Sequence, residues 1–146
     1  MQMDIITDER QLRVKSREAT RDQVVVMQIF ENLEDTLRAS GGLGLSAIQI
    51  GLPFRVCIVQ AKLNKPIHMV NPVIEKQTDP IKVQGEGCLS FPGLYVDTWR
   101  YQHSIIRWYD IDGTMHRAVF TGLEAVVAQH EIDHMNGVFF TDRSLE

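Results

Sequence analysis

Residues His130-Glu131-Ile132-Asp133-His134 set two imidazoles four positions apart. On a helix that spacing puts both on one face, one turn apart, so both can reach a single metal ion. Glu131 stands beside the first of them, where its carboxylate can lean over an open coordination position and take a proton from a water there. With 5 His and 9 Glu in 146 residues, chance gives about 0.01 matches to this pattern, so the match is informative. The bland alternative is a buried helix whose histidines only hydrogen-bond. A catalytic site of this kind needs a third protein ligand and leaves the fourth position to water. Cys88, His103, His116, Glu86 and several aspartates are candidates. Cys88 stands out by its setting in Gly85-Glu86-Gly87-Cys88-Leu89-Ser90, where glycine permits close approach of another chain or a ligand. Its sulfur is also the softest ligand available, although a buried apolar cysteine is the competing outcome. Cys57, inside Val56-Cys57-Ile58-Val59, reads as core.

A third segment, Gly41-Gly42-Leu43-Gly44-Leu45-Ser46-Ala47-Ile48-Gln49, is rich in glycine. It is no dinucleotide fingerprint, because the spacing is wrong, no strand leads directly in and no phosphate-binding lysine follows. Alone it fits a flexible connector. Gln49 raises its interest, since a neutral amide can hydrogen-bond a carbonyl or a developing oxyanion beside a metal.

The elements that must position these groups follow from periodicity. Val26, Phe30, Leu33 and Leu37 recur at helical spacing and predict a helix over 21–39. Thr20 and Gln23 suggest a capping box at its start, and Ser40-Gly41-Gly42 a left-handed stop. Phe54–Gln60, Ile67–Val70, Val73–Glu75, Ser104–Tyr109 and Met115–Phe120 read as short strands, with Asp110-Ile111-Asp112-Gly113 as a hairpin turn. A second helix spans 122–136, with Thr121 and Glu124 as a capping box and Asn136-Gly137 as the stop. Leu123, Val126, Val127, His130 and His134 share one face of it, and apolar residues on several sides mark it as central and buried. Strands and helices do not alternate, so a parallel doubly wound sheet is excluded. The fold class is α+β: short antiparallel sheets around a central metal-binding helix, with the N-terminal helix packed outside. The strand order does not follow from the pattern.

Length and composition agree with one domain over 1–146. No apolar run reaches the roughly 20 residues of a membrane span, and Met1–Arg10 has no apolar core of a signal peptide. Lys plus Arg number 15 against 19 acids, a net charge of -4, which argues against a partner bound through its phosphate backbone. Two cysteines and no export signal suggest a reducing compartment.

Together the three segments resemble the peptide deformylases, which carry G-x-G-x-A-A-x-Q, E-G-C-x-S and H-E-x-D-H in that order. Here they stand as Gly42–Gln49, Glu86-Gly87-Cys88-Leu89-Ser90 and His130–His134, and the likeness runs from about residue 5 to residue 142. The stretch Cys88–Tyr95 looks like the subgroup that includes organellar plant enzymes, and short chains of this kind resemble phage-encoded members. Two departures stand out. Ser46 replaces the first alanine of the first motif, and a buried hydroxyl there must find a partner. The sequence stops at Glu146, without the C-terminal helix by which many bacterial members dock on the ribosome, which puts that docking in doubt.

The resemblance implies removal of the formyl group from N-terminal formyl-methionine of new polypeptides, with release of formate. It implies Cys88, His130 and His134 as ligands of Fe²⁺, with Zn²⁺ or Ni²⁺ in purified protein. It implies Glu131 as general base and then general acid, and Gln49 with the Leu89 backbone N–H as oxyanion donors. Leu43, Gly44, Gly87, Leu123, Val126 and Val127 become the substrate-binding positions. Asp133 is expected outside the ligand set, paired with Arg100, Arg107 or Arg143, and Glu86 is expected to anchor its loop through an arginine. The implied partners are formyl-methionyl peptides met by a monomer in the cytoplasm (the host's, if phage-encoded), with no nucleic acid and no membrane. Two rivals are a zinc metallopeptidase, whose third ligand would have to be Asp142 or Glu146, and a catalytically inactive metal-binding protein.

Overall fold

A computed structural model describes residues 1–20, 22–61 and 65–145. Its elements in chain order are α1 (Glu9–Leu12), α2 (Gln23–Ser40), β1 (Gly44–Ser46), a 3-10 turn (Ala47–Ile50), β2 (Val56–Val59), β3 (Ile67–Cys88), β4 (Phe91–Tyr109), β5 (Met115–Thr121), α3 (Gly122–Met135) and a second 3-10 turn (Phe140–Arg143). The strands form one antiparallel sheet in the order β1-β2-β3-β4-β5, so each strand pairs with its sequence neighbour. The α+β class and the central helix expected from the sequence are both observed.

Strand alternation explains how this sheet carries a helix on each face. Val56 and Ile58 of β2 point into a cluster with Val26, Phe30, Leu33 and Leu37 of α2. Cys57 and Val59, facing the other way, join Met69, Ile106, Phe120, Ala125, Ala128 and Ile132 under α3. Every residue of α3 from Ala125 to Met135 is buried. Cys57 is thus core, as expected, with no solvent exposure.

The N-terminal caps differ from the expected ones, whereas the glycine stop of α2 forms as expected. Asp22, not Thr20, caps α2, its carboxylate accepting from the N–H of Val24 (3.0 Å) and Val25 (3.4 Å). A carboxylate adjoining the first turn also complements the helix dipole. Thr20 instead accepts from the N–H of Asp22 at 3.2 Å. Arg21, where the pattern starts the helix, lies outside the described residues. Gly41 closes α2 with φ +76° and its N–H on Leu37 O. Thr121 is the N-cap of α3, but its side chain makes no capping bond.

The Asp110–Gly113 hairpin forms as expected, with Gly113 N–H on Asp110 O at 3.0 Å. The segments 67–70 and 73–75 are one strand interrupted by a bulge between Val70 and Val73. There Asn71, at φ +51°, accepts the Ala19 N–H on its side chain at 2.8 Å. β3 then runs far past its expected end, pairing with β4 to the Cys88↔Phe91 register. That long hairpin sets the metal-binding sequence motif opposite the helix. No helix among the described residues is long and apolar enough to cross a membrane.

Candidate metal centre and active-site cleft

Three elements meet at the buried face of α3. The helix brings His130, Glu131 and His134, the end of β3 brings Cys88, and β1 with its 3-10 turn brings Gly44, Ser46 and Gln49. One ligand atom each from Cys88, His130 and His134 lies within 4.8 Å of the others. Cys88 Sγ is 3.4 Å from His134 Nε2. A sulfur and two imidazole nitrogens converging in this way are a donor set suited to a divalent transition metal. His130 Nδ1 meets Glu86 Oε2 at 2.6 Å, which fixes the ring and leaves Nε2 for the cluster. The other candidate ligands lie elsewhere. His103 pairs with Asp79, His116 with Asp110, and Asp142 with Arg13. Glu146 lies outside the described residues.

A line of charge supports the ligands from behind. Glu86 accepts from Thr98 Oγ1 (2.7 Å) and from Arg100 Nε (3.0 Å) and Nη2 (2.7 Å). Arg100 Nη1 reaches Asp133 at 2.6 Å, and Arg143 holds the same carboxylate at 3.0 and 3.2 Å. Glu86 therefore has its arginine, and Asp133 has two of the three expected. Arg107 pairs with Glu75 instead.

These contacts set the proton affinities. Burial pushes the Glu86 carboxyl up, but His130 and Arg100 together outweigh it and hold the group well below the usual carboxylate range. Burial alone would depress His130. The Cys88 sulfur and the charges of Glu131 and Glu86 raise it instead, to about 10. Imidazole binds a metal in its neutral form, so metal and proton compete for His130. His134 is driven well below the ordinary imidazole value, first by burial and then by the charges of His130 and Arg100. Glu131 is pushed up to about 7, chiefly by burial, against the opposing pull of His130 and Ser46.

Gln49 is 1% exposed. The Ser46 N–H donates to its Oε1 at 3.0 Å, which turns Nε2 towards Ser90 Oγ (3.1 Å) and Cys88 Sγ (3.6 Å). Leu89 follows Cys88 in the two-residue turn. A cleft of about 620 Å³ opens over this arrangement. All six expected substrate-binding positions line it, together with Gln49, Cys88, Leu89, His130 and Glu131. Val126 and Val127 form buried wall, whereas Leu43 and Leu123 are exposed at its rim. A second cavity, of about 350 Å³, lies where Arg55, Trp99, Tyr101 and Asp133 meet, and none of the expected site residues lines it.

Sequence reasoning named Ser90 within the second motif but gave it no role, and it missed Thr98 and the specific role of Arg100 as the bridge between Glu86 and Asp133. The hydroxyl of Ser46 carried a signal as a departure from the first motif's alanine.

A family model described as polypeptide deformylase matches residues 3–146. A peptide deformylase from Desulforudis audaxviator is 38% identical over 133 residues, covering 91% of this chain and 86% of that protein. The crystal structure of peptide deformylase from Thermotoga maritima superposes with a TM-score of 0.92 at 29% identity, covering 100% of this chain and 99% of that one. A peptide deformylase from Synechococcus elongatus, solved in complex with actinonin, gives a TM-score of 0.92 at 33% identity, covering 99% and 79%.

Proposed function

The chain belongs to the polypeptide deformylase family, and on that premise we propose how its own residues remove the formyl group from formyl-methionyl peptides. The methionine side chain enters the cleft between Leu43, Gly44, Gly87, Leu123, Val126 and Val127, where an unbranched thioether fits apolar walls. Cys88, His130 and His134 hold the metal. A divalent cation held by them would supply Lewis acidity, to activate water near neutral pH and to polarise a carbonyl oxygen. Glu131 takes the proton of the attacking water and later delivers it to the departing amine, so it must both accept and release a proton near neutrality. Its carboxyl, raised to about 7, suits that double task. As the formyl carbon becomes tetrahedral, its oxygen gains charge. The Gln49 amide and the Leu89 N–H donate to it, each worth roughly 3 kcal/mol if well placed. Gln49 does so by exchanging its contact to Cys88 Sγ for the substrate oxygen.

The ion is ferrous iron, supported by the family's usual metal, and the same ligands accept Zn²⁺ or Ni²⁺. The net charge of -4 supports a peptide rather than a nucleic acid as partner, acted on by a monomer in the cytoplasm.

The observation that carries this assignment is the convergence of Cys88, His130 and His134 within 4.8 Å, with Glu131 beside them in the same cleft. Anaerobically prepared protein should release formate from formyl-Met-Ala-Ser, with about one iron per chain in the same sample. Cys88→Ala should lose the metal. Internal peptide cleavage without formate release would instead favour the metallopeptidase.

A further inference from the structure

Gly44 and Ser46 are two residues apart on β1, so their side-chain positions share one face, and that face meets α3. Leu45, between them, packs into the cluster under α2. A Cβ on Gly44 would come within 2.7 Å of Glu131 Oε2, so the glycine leaves the space the carboxylate occupies. Ser46, with no solvent exposure, places its hydroxyl 2.7 Å from the Glu131 main-chain oxygen and 3.2 Å from Glu131 Oε1. Among the described residues this hydroxyl is the one hydrogen-bond partner of the Glu131 carboxylate. Oε2, with no such partner, is the oxygen left to exchange a proton. The Ser46 N–H meanwhile orients Gln49.

We propose that Ser46 is a positioning residue for the deformylation: its hydroxyl pins Glu131 Oε1 while its N–H pins Gln49, so that the base and the oxyanion donor are both referenced to one residue of β1. The motif this chain resembles has alanine at this position, which retains the N–H and lacks the hydroxyl. The hydroxyl shares its proton between the Glu131 main-chain oxygen and Oε1, and Oε1 stays an acceptor whether or not Oε2 carries a proton, so the contact can hold Glu131 both before and after the proton moves. The inference rests on Glu131 being the general base.

The test is a double-substitution cycle on the metal-loaded enzyme, with formyl-Met-Ala-Ser as substrate. Ser46→Ala should lower kcat by about 5- to 10-fold, with KM and metal per chain unchanged. A crystal structure of that variant should show the Glu131 carboxylate turned from its place against β1. In Glu131→Asp, whose shorter side chain cannot reach Ser46, adding Ser46→Ala should change kcat by less than about twofold. An unchanged kcat in Ser46→Ala, beside an impaired Glu131→Asp, overturns the role of Ser46 and leaves the base assignment standing. The same is true if Ser46→Ala costs an equal factor in both backgrounds, or if it acts by losing metal. Full activity of Glu131→Gln overturns the base assignment and takes this inference with it.

Discussion

Glu86 and Glu131 are both buried, at 8% and 4% exposure, yet their proton affinities are shifted in opposite directions. Glu86, at the end of β3, faces a hydroxyl, a guanidinium and an imidazole and stays an anion. Glu131, on α3, faces one hydroxyl, and burial pushes it up to about 7. Burial penalises both carboxylates, so the partners decide the outcome. Cationic partners make an anchor that cannot trade protons. A neutral partner leaves a group that can. The two regions of the site thus divide the work: the β3–β4 side fixes the ligand geometry and the β1–α3 side moves the proton.

The same substitution at the two sites should therefore fail in different ways. Glu131→Gln should lower kcat/KM by about 10³- to 10⁴-fold while metal content stays at the unsubstituted level. Glu86→Gln leaves Arg100 and His130 short of a negative charge inside the protein. It should cost about 3–5 kcal/mol of stability and roughly 10- to 100-fold in metal affinity. Steady-state kinetics, urea unfolding and metal competition with a chelator give the three readouts. If both variants lose metal equally, or if Glu86→Gln keeps metal and loses only turnover, the division between anchor and proton carrier is wrong.

A finer form of the contrast is the sign of the pH dependence in metal-free protein. Glu131 has a folded-state pKa near 7, above the ordinary 4.5. Between those values the folded chain binds more protons than the unfolded chain, so this group lowers stability as pH rises and its penalty levels off above about 7. Glu86 has the opposite shift. Its contribution is present above the ordinary carboxylate pKa and is lost as pH falls towards its depressed folded value. Glu131→Gln should therefore stabilise chelator-treated protein by about 3 kcal/mol at pH 8 and by almost nothing at pH 4.5. A substitution that destabilised at pH 8 would mean that Glu131 is paired rather than merely buried.

How much of this was legible in the sequence follows from the range of each interaction. The ligand pair on α3 and the glutamate beside them depend on helical spacing alone, and α2 shows its buried face in Val26, Phe30, Leu33 and Leu37. Cys88 needed its glycine-flanked motif, because it reaches His134 across 46 positions of chain. The long arms of β3 and β4 were not legible. From Glu75 to Pro80 every residue is exposed, so no alternation marks the strand. The bridge from Arg100 to Glu86 and Asp133 spans 14 and 33 positions. It exists only once the register sets β3 beside β4, and three arginines remained equal candidates for Asp133 until then. The Asp22 cap was missed because Thr20 offered a similar pattern two residues earlier.

The smallest expected effect concerns the outer end of the anchor. Asp133 is gripped on one side by Arg100, whose side chain is 3% exposed, and on the other by Arg143, whose side chain is 47% exposed. A half-exposed guanidinium is screened, and water replaces it when it is removed, so Arg143→Ala should cost less than about 1 kcal/mol. Metal affinity should change by less than about twofold, since the buried Arg100–Glu86–His130 contacts stay intact. Urea unfolding and chelator competition on this variant, beside Glu86→Gln, measure the gradient from solvent to ligand. A loss in Arg143→Ala as large as that in Glu86→Gln would show that the segment after α3 carries the anchor, and that burial of Arg100 is not what makes Glu86 immovable.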